Sequence, residues 1–531
     1  MRKFLLIWAG LCVAVLSGCR SGAPEMRKTS PAFDAYFVGL DRLGSETNSM
    51  RFREVVALKE SQAVEKLMEP GLSRSLLDCL KTGWPGLASS HSPSLDSLWT
   101  DLKHSEGRLT VFTREKQMDE WMLALRLKPE RAALWSTNLW RIAATGTGAQ
   151  ASGTLAGFPG WALQMTNPAG TVRFTTVGNW SVIDWFRNRP AAADRLVQQL
   201  KTSDSLKAPS TNWLEIAFDR NLLPPNFFPG WLNGLLPDPS ARGVLSVSGH
   251  GGYLRSRVKI QYDRDQKWQL EPWQIPTNII MDPMVSFTAL QGFGPWLASR
   301  EKVRLLELNP PPNRAFVWAL ADTPFQTYAA LPVQEGPDTL PHLAQRLPDF
   351  IRACFPPRGV GEVIMLTNQP VIQWSGLPFV IPYVSTAKAP SGQYLVGGLF
   401  PTVLTNTTPM PLELAAQVQG RTNLLFYDWE ITQERLLQLQ MLVPLLSLLS
   451  PEDLQSPAAA QPRGHQEIIA AWIKAMAPQL GNSVTEVVAT SPREIQVVRK
   501  SHLGLSSVEI IALARWLNQL PPVAVPNPVK P

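Results

Sequence analysis

Proline is the residue that most restricts what this chain can fold into. It fills 47 of 531 positions, well above the ordinary share of about 5%. It recurs from Pro24 to Pro531 rather than in one tract. Each proline removes an amide donor and clashes with the preceding helical turn. A coiled coil or a bundle of long uninterrupted helices is therefore excluded. Short helices and strands joined by frequent turns are expected. Hydrophobic residues are 44% and charged residues 18%, against a usual charged share of about 25%. Such a chain can bury a core and is not held open by its own charge. The length fits three or four domains at about 150 residues each, or two large ones.

Both hydrophobic periods occur. Strands are predicted at 109–113, 171–178, 243–248, 253–262, 315–320, 362–367, 393–399, 423–431 and 484–490. Residues 494–500 should pair back on 484–490 across Ser491-Pro492-Arg493. Asp263-Arg264-Asp265-Gln266 reads as a turn into a further strand at 267–270. Met118, Trp121, Met122 and Leu125 carry helical spacing. Another helix should start near Pro190 and run to about Leu200. The clearest helix is 507–519, where Ser506 and Glu509 form an S-x-x-E capping box. The most apolar later stretch, 436–450, is short and broken by Gln438, Gln440 and Pro444. It does not suit a membrane span. It reads as a buried helix pair, with a groove for lipid or a partner as the alternative.

The fold class expected is α+β: two mixed helix/sheet halves, 33–270 and 271–520, with mainly antiparallel sheets. The second half carries a flexible insertion at 451–464, and a disordered Pro-rich tail covers 521–531. Residues 51–80 read as a strand followed by a helix, in an order similar to 315–354. A short aromatic strand precedes each, at Tyr36-Phe37-Val38 and at Val285-Ser286-Phe287. An internal duplication and two unrelated α+β units both fit this pattern.

The amino terminus begins Met1-Arg2-Lys3, followed by a 13-residue apolar run from Phe4 to Leu16 and then Leu16-Ser17-Gly18-Cys19. The run is too short for a membrane span and suits a signal-peptide core. The tetrapeptide resembles the lipobox of bacterial lipoprotein precursors. That resemblance covers residues 1–19. It implies that 1–18 are a signal peptide, that Cys19 takes a diacylglyceryl thioether and becomes the acylated amino terminus, and that 19–32 are a tether. More than one acyl chain gives stable attachment. Arg20, where Asp would favour retention at the inner membrane, leans towards the outer membrane of the cell envelope. Loss of Arg2 and Lys3 lowers the formal charge from +7 to +5, which is mild and does not suggest nucleic acid. Cys12 would leave with the signal. Cys79 and Cys354 remain, as a bridge or as two buried thiols. No CxxC occurs.

Asp428 and Glu430 are the candidate acid–base pair. Two apart on a predicted strand, they share one face, roughly 7 Å apart, and neighbouring carboxylates can separate their pKa values. Residues 423–430 (NLLFYDWE) also resemble the last three positions of the chitinase-family signature Asp-Gly-x-Asp-x-Asp-Trp-Glu, in which the Glu is the acid. Here Asn423, Leu424 and Phe426 replace the earlier Asp, Gly and Asp, and no repeating strand–helix barrel is evident. The alternative is a polar outer face, with Leu425, Tyr427 and Trp429 packed inside.

Other patterns are weaker. Ser385-Thr386-Ala387-Lys388, Ser136-Thr137-Asn138 and Lys81-Thr82-Gly83 match penicillin-binding-protein motifs in reversed order. His250-Gly251-Gly252-Tyr253 is similar to an esterase oxyanion loop, but no G-x-S-x-G accompanies it. Gly146-Thr147-Gly148 lacks the third Gly of a nucleotide-binding loop. The scattered His91, His104, His342, His465 and His502 give no metal-site spacing, and no cofactor is expected. Arg255, Arg257 and Lys259 alternate with apolar residues, as a phosphate-facing stripe or a solvated strand face. Most Trp residues have apolar or Pro neighbours, as in Trp84-Pro85, Trp231-Leu232 and Pro295-Trp296, which suits core positions. The expected role is a membrane-anchored, non-catalytic binding or structural module, facing an envelope glycan or protein. A glycan-active hydrolase using Asp428 and Glu430, or an apolar-ligand carrier using 436–450, are the alternatives.

Overall fold

The computed structural model describes residues 30–68, 96–144, 154–206, 211–223, 241–447 and 463–518, apart from short gaps at 156, 167–168, 189–190, 322–325, 335, 337–338, 355–360, 367–368, 378–379 and 402–406. The signal segment with Cys19, most of the tether, Cys79, Lys81-Thr82-Gly83, His91, Gly146-Thr147-Gly148, most of the 451–464 insertion and the tail lie outside the described residues. The architecture is mixed α+β with predominantly antiparallel sheet pairing. Two compact units divide the chain between Arg264 and Asp265.

The first unit contains β1 (Phe33–Phe37), β2 (Gly107–Arg114), β3 (Gln117–Arg126), β4 (Thr154–Leu155), β5 (Phe158–Thr166), β6 (Ala169–Val177), β7 (Trp180–Phe186), β8 (Leu214–Asp219), β9 (Arg242–His250) and β10 (Tyr253–Gln261). Its main sheet runs β5-β6-β7-β3-β2-β1-β8-β9-β10, each neighbour antiparallel. Short β4 pairs with β5. The unit's helices include α1 (Met50–Ala57), α2 (Asp96–His104), α3 (Pro129–Ala144) and α4 (Ala191–Ser203). Trp161, Phe174 and Ile183 lie in register across β5, β6 and β7. Trp161 stacks on Phe174 and meets Trp140 of α3 edge-on, so α3 covers that face. Asp184 and Arg173 point to the opposite face, where Asp194 of α4 meets Arg173. Every residue of β7 is buried, because helices close both faces.

Two predicted elements of this unit are corrected. Met118, Trp121, Met122 and Leu125 belong to strand β3, not a helix. A strand buried on both faces has apolar residues at consecutive positions, which mimics helical spacing. Its hairpin turn is Glu115-Lys116, both with φ near +55° (53° and 60°). That turn geometry is usually announced by Asn-Gly or Gly-Gly, so the sequence concealed it. The strand expected near residue 51 is helix α1 instead.

The second unit contains β11 (Met281–Asp282), β12 (Met284–Gln291), β13 (Arg314–Leu320), β14 (Thr327–Val333), β15 (Glu362–Met365), β16 (Val371–Ser375), β17 (Tyr383–Ala389), β18 (Gly392–Gly398), β19 (Thr408–Pro409), β20 (Leu424–Ile431), β21 (Asn482–Ser491) and β22 (Glu494–Ser501). Residues 267–270 form no strand. The main sheet runs β15-β16-β17-β18-β14-β13-β12-β20-β21-β22, while β11 pairs with β19. Its longer helices are α5 (Thr339–Cys354), α6 (Thr432–Ser447), α7 (Arg463–Met476) and α8 (Ser507–Asn518). Residues 432–447 thus form one helix where the sequence suggested a pair. Setting aside the edge strand β15, the second sheet repeats the strand order of the first. A three-strand meander joins a hairpin, then the unit's first long strand, then three further strands.

One face of the second sheet packs an aromatic core. Phe287, Phe316, Trp318, Tyr328, Tyr394 and Tyr427 pack there with Trp273, and several of their rings lie about 5–6.5 Å apart in stacked, tilted or edge-on pairs. The opposite face is polar, and it holds the predicted carboxylates.

Candidate functional site

Strand alternation places Tyr427 and Trp429 towards the aromatic core, and Asp428 and Glu430 away from it. The register continues the polar side across neighbouring strands. Asp428 lies opposite Thr288 and Thr485, and Glu430 opposite Ser286 and Ser483. This face is not an outer one. Glu430 is only 3% exposed, and Thr432, Arg435, Gln438, Ser483, Thr485 and Ser507 are buried as well. The two carboxylates therefore share a face, as their spacing requires, but helices α6 and α8 shut Glu430 off from solvent and leave Asp428 half-buried.

Glu430 is committed to a helix terminus. The Ser507 amide donates to its Oε1 at 2.8 Å, the Ser507 hydroxyl donates to Oε2 at 2.5 Å, and the Thr432 hydroxyl donates to Oε1 at 3.0 Å. A carboxylate at the start of α8 satisfies an amide left without a helical partner and faces the positive end of the helix dipole. Asp428 accepts from the Thr288 hydroxyl at 2.7 Å. Burial pushes its carboxyl up to about 6, against the pull of the Thr288 hydrogen bond and with help from the charge of Glu430. Arg435 bonds the neutral oxygens of Thr327 and Gln438, each at 3.2 Å, and burial lowers its pKa.

The capping box of α8 closes the same cluster. The Ser506 amide donates to Glu509 at 3.1 Å, and the Glu509 amide approaches the Ser506 hydroxyl at 3.4 Å. Arg499 bridges Glu509 at 2.5 Å and the Thr485 hydroxyl at 2.9 Å.

The first unit contains a cluster the sequence did not single out. Glu120 of β3 accepts the Ala192 and Ala193 amides at the start of α4, at 3.0 and 2.9 Å. Arg173 donates through Nε to both oxygens of Asp184 at 3.0 Å, and through Nη1 to Asp194 at 2.9 Å. Asp184 is 2% exposed. Burial pushes it up to about 6, opposed by Arg173. Burial also raises Glu120. These acids and Arg173 are spread over three strands and a helix, so no local motif could have found them.

The other sequence patterns do not converge. Ser385 and Lys388 lie on strand β17, which lacks the helical turn that would bring them together. His250-Gly251-Gly252-Tyr253 is the β9–β10 hairpin turn, with φ of +57° and +83° at its glycines. Arg257 and Lys259 are exposed on β10, and Arg255 is half-buried. Trp296 is 54% exposed, under the Arg300 guanidinium at 4.6 Å. In α6, Leu436 is buried while Leu437 and Met441 are exposed. Among the described residues, no three His, Cys, Asp or Glu side chains group to hold a metal ion.

A cleft of about 310 Å³ opens in the first unit between the amino-terminal half of α3 and strands β5–β7, reaching Phe174 and Ser181. It does not involve the 436–450 stretch. No known family, curated protein or solved structure matches the chain.

Proposed function

We propose that the chain is a lipid-anchored protein of a bacterial envelope whose body binds or supports other molecules without turning them over. The observation that carries the reading is the segment Leu16-Ser17-Gly18-Cys19 directly behind a 13-residue apolar run. Small residues before a cysteine let a peptidase approach the backbone closely, and the thiol is the atom that takes up lipid. Arg20 stands where an Asp would favour retention at the inner membrane, which leans the anchored product towards the outer membrane. An envelope glycan or protein is the partner class.

The buried face of β20 favours this reading over a glycan hydrolase. Both oxygens of Glu430 are bonded within the protein. A general acid must reach the leaving oxygen of its substrate, and this carboxylate faces a helix start. The shared strand order of the two sheets supports descent from one duplicated unit.

Mass spectrometry of the mature amino terminus tests the anchor. Cleavage before Cys19 with acyl chains on that residue is expected. An uncleaved or unmodified Cys19 overturns it. Turnover of purified cell-wall glycan that vanishes in a folded Glu430→Gln variant would overturn the non-catalytic reading.

A further inference from the structure

We propose that the cleft beside α3 is a binding site for a small, neutral, mostly apolar molecule carrying one oxygen that can hydrogen-bond. The inference rests on the binding-module reading and gives it a ligand class. The walls come from Leu127, Pro129, Ala132 and Phe174, and among the described residues no lining residue is charged. An ionised ligand would lose its hydration there without gaining a counter-charge.

The polar end is Ser181. Its residue is 0% exposed, it lines the cleft, and its Oγ has no hydrogen-bond partner. The neighbouring hydroxyls differ. Ser136 accepts from the Trp161 indole at 3.0 Å, and Thr176 donates to the Pro159 carbonyl at 3.4 Å. Folded proteins seldom leave a buried hydroxyl without a partner, and an oxygen on a bound molecule would supply one. The volume, about 310 Å³, is roughly twice that of a cavity that holds benzene. It lies near the lower bound of small-molecule sites, about 300 Å³. Two fused rings fill such a space. Ala133 is exposed at the rim, so a larger side chain there can close the entrance without disturbing the core.

The test is calorimetric titration of the full chain with 2-naphthol and with 2-naphthoate. One saturable site for 2-naphthol is expected, with the charged naphthoate at least tenfold weaker. Ser181→Ala should weaken 2-naphthol about fivefold to tenfold, the worth of one neutral hydrogen bond. It should melt no lower than the wild type, since its hydroxyl has no protein partner to lose. Ala133→Phe should abolish binding while melting like the wild type. No saturable binding to the wild type, or a Ser181→Ala variant that binds as tightly as the wild type, overturns the proposal. A lipid-free Cys19 alongside intact 2-naphthol binding would overturn the anchor alone.

Discussion

The two units hold their aspartates in dissimilar ways, Asp184 fully buried and Asp428 half-buried. Asp184 in the first and Asp428 in the second are both pushed up to about 6 by burial. Asp184 is clamped by Arg173, which also reaches Asp194. Asp428 has a threonine hydroxyl and, among the described residues, no ion pair. Burial sets the pKa of each, while the partner sets what its removal would do. Each unit also uses a buried glutamate to hold a helix start, Glu120 for α4 and Glu430 for α8. The strand order is shared, and the polar groups fixing helices to it are not.

The largest expected effect breaks the clamp. Arg173→Met should leave Asp184 buried near Glu120 without its counter-charge, so that it either stays ionised unpaired or takes up a proton, and a broken buried pair of this kind costs about 3–5 kcal/mol. Urea unfolding at pH 7 measures the loss, and a loss below 1 kcal/mol would mean the pair does not fasten the unit.

The next separates the aspartates. The folded pKa of Asp428 lies above its ordinary value. Its contribution to stability is therefore fully present below about pH 4 and is lost as pH rises towards 6. Asp428→Asn keeps an oxygen for Thr288 and removes that loss. It should gain on the wild type between pH 4 and 7, by up to about 3 kcal/mol. Asp184→Asn should instead destabilise at pH 7, because it leaves Arg173 without its main partner. Melting curves at both pH values distinguish them. Parallel behaviour of the two variants would erase the contrast.

Glu430→Gln should cost about 1–3 kcal/mol in urea unfolding, the range for weakening a buried hydrogen-bonded group. Ser506→Ala should cost least, at most about 1 kcal/mol, since its capping bond is long. If Ser506→Ala cost more than Glu430→Gln, the capping box rather than the strand carboxylate would hold α8.

Much of the fold was legible wherever a strand had one buried face or a helix had a marked start. Arg242–His250 with Tyr253–Gln261, Asn482–Ser491 with Glu494–Ser501, and Ser507–Asn518 with its capping box are such cases. β3 was not, because burial on both faces erased its alternation and Glu115-Lys116 gave no turn signal. The site was legible in part. Spacing put Asp428 and Glu430 on one face, but alternation says nothing about what lies over that face. The cover comes from helices that begin at Thr432 and Ser507, the latter 77 residues beyond Glu430. The cleft draws on α3 and three strands, and no single segment announces it.

The most direct test of the claim that the Glu430 carboxylate of β20 holds the start of α8 is amide hydrogen exchange at Ser507 and along α8 in Glu430→Gln. With Glu430 as the anchor of that helix, exchange there should accelerate about fivefold or more, while β5–β7 keep wild-type protection. Unchanged protection at Ser507 would contradict the account and return Glu430 to the groups free for chemistry.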